Sequence, residues 1–203
     1  MTPLGIKQAE TLPSRIPDLQ SKVDLVVTSP LRRAMYTTLF GWKPAIARLG
    51  IENVVVLPEA QECADFPCDT GSSAQSLTND ADFNGLSFSR LTPDWTSKQG
   101  FWAPDDASLA NRAAFVRRFL RDRPERDIVL VCHGDFLRQL TCDADGPSRS
   151  FWKNVAMRVY RFDPDTVDKD ECLFVLEEAP EATRGYHPRT TEAELDATIN
   201  QKI

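Results

Sequence analysis

Short apolar runs are the clearest pattern along this chain, and they predict strands. Two of them, residues 23–27 (VDLVV) and 127–132 (DIVLVC), are compact and lack polar alternation. Such runs are typical of strands that are buried on both faces, as in a parallel sheet covered by helices. A third candidate strand lies at residues 53–58 (NVVVLP). We expect these segments to form the centre of one sheet.

Helical periodicity follows two of these runs and precedes the last one. Residues 28–42 (TSPLRRAMYTTLFGW) place Ser29 as a capping residue and Pro30 in a first helical turn, and GDFLRQL at residues 134–140 opens a second helix. The strongest helical pattern covers residues 106–125, with arginines opposite its apolar face. The apolar positions of that face are Leu109, Ala113, Val116, Phe119 and Leu120.

Two alternating segments near the carboxyl terminus, residues 155–163 and 172–178, predict an antiparallel pair that closes one edge of the sheet. The order of elements predicts an α/β fold with a mixed, largely parallel central sheet flanked by helices. We expect one domain over residues 1–179. Residues 180–203 are a polar tail, with a short helix around 192–199.

A long stretch without clear periodicity, residues 59–103, is rich in Asp, Ser, Thr and Pro. Ordinary connections between elements are much shorter than this. We therefore interpret it as a functional insertion or a lid.

Composition narrows the classes of function. The chain has 203 residues, 41% of them hydrophobic, and a formal net charge of −6, with a pI near 5.0. This acidic balance argues against nucleic-acid and membrane-surface partners but leaves an anionic small molecule open. No apolar run reaches the ~20 residues of a membrane span, and we expect a cytoplasmic protein. The five cysteines lack paired CxxC spacing, so we expect neither a disulfide framework nor a zinc site. We also expect no cofactor and no other metal.

Polar residues with the chemistry of an anion site follow the predicted strands. Arg32 and Arg33 come after the first run, and His133 and Gly134 come after the last. Because parallel strands end at the same edge of a sheet, beside helix amino termini, these groups predict a phosphate or oxyanion site. The alternative remains open that His133 is structural and that the two arginines are a solvated helix face.

Two acids follow the third candidate strand. Glu59 and Glu62 lie in LPEAQE, and either could be a proton donor if burial raised its pKa. The sequence alone does not choose between them. Cys132 is interpreted as core filling rather than a nucleophile, and His187 as an exposed bystander in the polar tail.

Four motifs together resemble the histidine phosphatase superfamily, in its phosphoglycerate-mutase-like branch. They are TPLGIKQAETL, TSPLRRAMYTTL, LPEAQE and VLVCHGDFL, in the order and rough spacing of that family. ECADFPCDTGS and FWKNVAMRVYRF also resemble segments common in fungal members.

The resemblance implies roles for individual residues. Arg33 aligns with the arginine that grips the phosphoryl group, His133 with the second histidine of the site, and Glu62 with the acid, for which Glu59 is the alternative. From their places at the strand ends, Arg32 and Gly134 are also expected to contact the substrate. The implied reaction transfers a phosphoryl group from a small phosphomonoester to a nucleophilic histidine, with a proton from the acid, and then hydrolyses it without a metal. Arginine and imidazolium would stabilise the transferring oxygens.

The sequence departs from the family in one respect, because it contains no Arg-His-Gly, the motif that carries the nucleophile on the family's first strand. Without that strand, its two neighbours have unpaired backbone groups unless they close up or another segment replaces it. Three hypotheses follow. The first is that the full gene product is longer than this sequence and is a phosphatase. The second is a noncatalytic module that binds a phosphate ester or has a regulatory role, and the third is a scaffold redirected to a nonhydrolytic biosynthetic step that uses His133.

Overall fold

A three-stranded parallel sheet lies at the centre of the protein, whose computed structural model describes residues 1–179, 184–186 and 193. Its strands are β1 (Leu25–Thr28), β2 (Val55–Val56) and β3 (Ile128–Val131), in the spatial order β2-β1-β3. Val27 of β1 is in register with Val55 on one side and with Leu130 on the other. The three predicted strands are therefore confirmed, and all of them are parallel.

Helices flank this sheet. Within the described residues the α-helices are α1 (Pro3–Glu10), α2 (Leu12–Arg15), α3 (Pro17–Lys22), α4 (Arg32–Gly41), α5 (Lys43–Leu49), α6 (Ala74–Thr78), α7 (Asp106–Arg121) and α8 (Gly134–Leu140). Short 3-10 turns occupy Ile51–Asn53, Pro58–Ala60, Ala81–Phe83 and Gly100–Trp102. No helix in the described part of the chain is long and apolar enough to cross a membrane.

The start of α4 differs from the prediction. Ser29 was expected to cap the helix, but α4 begins at Arg32 and Leu31 is its N-cap, without a side-chain hydrogen bond. The Ser29 hydroxyl instead accepts the Leu31 N–H at 3.2 Å. Ser29 is fully buried just after β1, and its hydroxyl also lies 2.8 Å from Nε2 of His133, so it joins the ends of two neighbouring strands.

Two hydrophobic cores cover the two faces of the sheet, as expected for strands that are buried on both sides. Val26 and Val129 face the core that contains α4 and α5. Leu25 and Val27 face the core built with α7 and α8. Successive side chains of β1 thus point to opposite faces of the sheet, and a layer of helices packs on each face.

The irregular segment 59–103 is packed against the first core. It contains α6 and two of the four 3-10 turns in full, and it contributes large apolar side chains to that core. The buried ones are Leu77, Phe83, Leu86, Phe88, Leu91, Trp95 and Trp102. These contacts fix most of the segment to the body of the protein.

Helix α7 confirms the strongest helical prediction but not the exposure of its arginines. Asp105 caps it by accepting the Ser108 N–H at 3.0 Å. Arg112 and Arg117 were expected on the solvated face, yet only 1% and 4% of their surfaces are exposed. Both guanidinium groups donate to backbone carbonyls of neighbouring segments, which compensates for the loss of water.

The carboxyl-terminal hairpin forms a sheet of its own. β4 (Val159–Phe162) and β5 (Phe174–Glu178) pair antiparallel, which confirms the predicted pair. The expectation that they close an edge of the central sheet is wrong, because in the described part of the chain β3 pairs only with β1 and β4 only with β5. A cavity of about 1100 Å³ is bordered by β3 on one side and by the hairpin on the other, and it separates the two sheets. The helix predicted around 192–199 lies outside the described residues, apart from position 193.

Candidate functional site

The cavity between β3 and the hairpin extends to the carboxyl end of β3, where α8 begins. Four predicted site residues line it there: Arg33, Glu62, His133 and Gly134. They come from the first turn of α4, the segment after β2 and the start of α8. The meeting of strand ends at one edge of the sheet thus brings together residues that are up to about 100 positions apart.

His133 is held in place by a residue at the end of the neighbouring strand. Its Nε2 lies 2.8 Å from the Ser29 hydroxyl, and only 5% of its surface is exposed. Burial lowers the pKa of the imidazole well below its ordinary value, and positive charge on Arg33, Arg112 and Lys98 lowers it further. Both effects favour the neutral imidazole, whereas the resemblance implied an imidazolium.

Glu62 is a largely buried acid that lines the same cavity as His133. Its Oε1 accepts the backbone N–H of Cys63 at 2.9 Å and that of Phe136 at 3.0 Å. Its Oε2 lies 3.9 Å from Nη2 of Arg33. Burial is the largest cause that raises the pKa of Glu62 above its ordinary value. Since Oε1 is occupied by two N–H donors, Oε2 is the oxygen that is able to carry and release a proton.

Glu59, the alternative acid, lies elsewhere. Burial also raises the pKa of Glu59, and its Oε2 has no hydrogen-bond partner among the described residues. It is not part of the cavity wall that contains Arg33 and His133. Because Glu62 lines this cavity and Glu59 does not, its position favours Glu62 as the acid.

The two adjacent arginines of α4 point to different surroundings. Arg33 lines the cavity, and its side chain is 37% exposed. Arg32 forms an ion pair with Asp80, and its guanidinium lies 5.4 Å from the ring centre of Phe83, away from the cavity lining. Successive residues on a helix are separated by about 100°, so one of such a pair faces the cavity and the other does not.

Gly134 and Cys132 flank the histidine. A Cβ added at Gly134 would meet nothing closer than 3.8 Å, so the packing of this protein does not itself require glycine there. The free space adjoins the cavity and is available to a ligand. Burial raises the pKa of the Cys132 thiol, so this residue remains a neutral thiol rather than a nucleophilic thiolate.

Two buried cations behind Glu62 were not predicted. Arg112 donates to the carbonyls of Gln61 at 3.1 Å and Glu62 at 3.3 Å, and the Lys98 amine lies 3.5 Å from the same Glu62 carbonyl. Arg112 could have been identified, because it lies three residues after Leu109 and four before Val116, on the apolar stripe of α7. Lys98 offered no such pattern. Within the described residues, no three His, Cys, Asp or Glu side chains form a metal-ligand group.

The cavity continues away from these residues as a channel, which we define as the space between residues 128–132 and residues 155–162. The carbonyls of Asp127 and Val131 accept N–H groups of Leu25 and Ser29, so they point toward β1. Because backbone groups alternate in direction along a strand, those of Ile128 and Leu130 point into the channel. An edge strand thus forms one wall of it.

Comparison with known proteins agrees with this architecture. The sequence model of the histidine phosphatase superfamily (branch 1) matches residues 1–168. A probable phosphatase of Schizosaccharomyces pombe is 28% identical over 136 residues, which are 66% of this chain and 62% of that protein. The chain thus spans less than two thirds of the length of this curated relative.

Solved structures show the same fold. A phosphoserine phosphatase of Entamoeba histolytica, in complex with 3-phosphoglyceric acid, has a TM-score of 0.52 and 18% identity, covering 90% of this chain and 86% of that one. A mycobacterial glucosyl-3-phosphoglycerate phosphatase has a TM-score of 0.52 and 20% identity, covering 87% and 86%. With most of its length matched by the family model, this chain belongs to the histidine phosphatase superfamily, branch 1.

Proposed function

We propose that this protein binds a small phosphomonoester at the cavity and contributes Arg33, His133 and Glu62 to a histidine-phosphatase reaction. The observation that carries the proposal is the convergence of these three side chains on one cavity wall at the carboxyl end of β3. A guanidinium and an imidazole bind phosphoryl oxygens, and a protonatable acid protonates the leaving oxygen.

Each residue has a role that follows from its surroundings. Arg33 supplies positive charge and paired N–H donors to the phosphoryl oxygens. The neutral imidazole of His133 has one ring N–H, which is available to a ligand in the tautomer whose Nε2 accepts the Ser29 hydroxyl proton, and an incoming dianion would favour the protonated form. Glu62, whose pKa is raised by burial, donates a proton from Oε2 to the leaving oxygen.

The nucleophile is the missing group. His133 is the only histidine in the described part of the chain, and it is already paired with Ser29. We propose that turnover requires a further strand in the channel, carrying a histidine whose nitrogen forms a bond to phosphorus as the ester P–O bond breaks. Water then attacks phosphorus, the P–N bond breaks, and Glu62 takes up the proton of the water.

The open channel also supports the second candidate function. Without a strand between β3 and β4, the same residues bind a phosphate ester and do not hydrolyse it. This is the binding or regulatory module, and it differs from the phosphatase only in turnover.

Calorimetry and a turnover assay on the same preparations test both functions. Inorganic phosphate, phenyl phosphate and 3-phosphoglyceric acid are titrated into the chain and into Arg33→Met, with Arg32→Met as the matched variant. Binding that depends on Arg33 but not on Arg32 supports the site, and the absence of such binding overturns it. Hydrolysis of p-nitrophenyl phosphate is measured on the same chain and on one extended by the upstream reading frame. Turnover that appears only in the extended protein identifies a phosphatase.

A further inference from the structure

We propose that Asp69, together with the backbone carbonyl of Cys68, is a positioning residue that holds the Arg33 guanidinium in its binding orientation. The inference rests on the proposed function, because it assumes that Arg33 binds the phosphoryl group. Nη2 of Arg33 lies 2.7 Å from Oδ1 of Asp69, and Nη1 donates to the Cys68 carbonyl at 2.6 Å. Both acceptors come from segment 59–103.

The two acceptors lie beside the cavity rather than in it. Arg33 is part of the cavity lining, whereas neither Cys68 nor Asp69 is. A guanidinium has five N–H donors in a fixed plane, and two of them account for these bonds. The remaining donors are left for a ligand in the cavity, so Asp69 orients the arginine without occupying the space where a phosphoryl group would bind.

The turn that carries Asp69 is held by backbone hydrogen bonds and by packing on the core. The N–H groups of Asp69 and Thr70 both donate to the Phe66 carbonyl, at 2.8 Å and 3.0 Å. A Cβ added at Gly71 would lie 1.8 Å from the Trp95 ring, so the backbone packs directly on that ring. Trp95 is 1% exposed and belongs to the first core. The Arg33 clamp, defined as Cys68 and Asp69, is therefore fixed to the core of the protein.

Trp95 also connects this clamp to the acid. Its carbonyl accepts the Gln61 side-chain amide at 2.7 Å, one residue before Glu62. The same buried tryptophan thus contacts both the turn that carries the Arg33 clamp and the residue before Glu62. These contacts connect the surroundings of Arg33 and Glu62, the two side chains proposed to act on one phosphoryl group.

A carboxylate beside the anion-binding arginine favours phosphate binding because it holds the arginine side chain in place before the ligand arrives. A partly exposed arginine loses side-chain entropy when it is ordered, and that cost reduces affinity if it is incurred on binding. Asp69 is only 6% exposed, so its ion pair with Arg33 orders the side chain in advance. The opposite hypothesis is that Asp69 competes with phosphate for the arginine, and it predicts the opposite sign of the effect.

Asp69→Asn and Asp69→Ala test this sign against a matched variant, Asp80→Asn. Asp80 comes from the same segment and pairs with Arg32, the neighbouring arginine that does not line the cavity. We expect inorganic phosphate, measured by calorimetry, to bind about fivefold more weakly to Asp69→Ala, the scale of a partly exposed ion pair. Asp69→Asn should lose less, because the amide oxygen still accepts a hydrogen bond, and Asp80→Asn should bind as the parent chain does.

Tighter phosphate binding by either Asp69 variant would show that Asp69 competes with phosphate for Arg33. Affinities equal to that of Asp80→Asn would show that Asp69 has no role in binding. Each result overturns the inference and leaves the proposed function in place. If the parent chain shows no binding that depends on Arg33, the proposed function fails. Nitrogen-15 NMR of the Arg33 guanidinium then still decides whether the clamp exists. Rotation about its Cζ–Nη bonds should be slow in the parent chain and fast in Asp69→Ala, and equal rates would overturn the clamp.

Discussion

The carboxylate of Glu62 accepts the backbone N–H of Phe136 at 3.0 Å and thereby caps helix α8 from a distant part of the chain. His133, the N-cap residue of that helix, makes no side-chain cap hydrogen bond. The proposed acid and the start of the histidine-bearing helix are therefore fixed by one interaction. A new side chain at Glu62 that still accepts hydrogen bonds should keep the stability of the protein and lose the proton donor, whereas one that cannot accept them should lose both.

Glu62→Ala should lower the free energy of unfolding by about 1–2 kcal/mol, because the N–H groups of Cys63 and Phe136 lose their acceptor. Glu62→Gln should cost less than this, since its amide oxygen still accepts hydrogen bonds, while it can no longer donate a proton. Urea unfolding of both variants measures the difference. Equal stability of Glu62→Ala and the parent chain would contradict the capping role.

His133 should make stability depend on pH. The folded protein keeps this imidazole neutral because burial lowers its pKa, whereas the unfolded chain binds a proton below about pH 6.5. The contribution is therefore complete above pH 6.5 and is lost as the pH falls, by at most about 1.4 kcal/mol per pH unit. The difference in unfolding free energy between the parent chain and His133→Gln should shrink from pH 7.5 to pH 5.5.

The comparison substitution for this titration is His187→Gln, at the other histidine of the sequence. An equal reduction of the pH dependence by His187→Gln would contradict the assignment of the effect to His133. Burial raises the pKa of Glu59 and Glu62, so their contributions to the unfolding free energy change with pH in the opposite direction. Each contribution is complete below the ordinary pKa of the acid and is lost as the pH rises through the raised pKa. Because both acids are present in every variant, the difference between variants isolates the histidine.

The channel predicts an alternation in hydrogen exchange along β3. The N–H groups of Ile128 and Leu130 point into the channel, whereas those of Val129 and Val131 pair with β1. We expect the first two to exchange at least about tenfold faster than the second two, measured by NMR in deuterium oxide. A strand bound in the channel, as proposed for the extended protein, should remove the difference. Uniform protection in the parent chain would show that the β3 edge is already covered.

Gly71→Ala should destabilise the protein. The new Cβ would lie 1.8 Å from the buried Trp95 ring, so ring or backbone must move, and overpacking of this kind costs about 1–3 kcal/mol. Gly134→Ala is the matched substitution, because its nearest atom would be 3.8 Å away. Urea unfolding should show a loss for Gly71→Ala only. A similar loss in both variants would point to backbone effects of alanine instead of the Trp95 contact.

The sequence by itself determined the strands, the main helices and the end of the sheet where the polar groups gather. These features are local: an apolar run such as residues 127–132 carries its own burial pattern, and the residue after it must lie at the strand end. The order of the strands and helices then indicated the α/β class. Arg33, His133 and Gly134 were predicted as neighbours because parallel strands end together.

The tertiary structure decided which residues meet. Whether Glu59 or Glu62 reaches the cavity depends on a short turn after β2, and whether Arg32 or Arg33 faces it depends on the rotation of α4. Arg33 pairs with Asp69, a residue distant in sequence, and the hairpin forms a sheet separate from β3. Such contacts result from the packing of whole elements, since no local pattern of residues specifies the partner of a side chain across the fold.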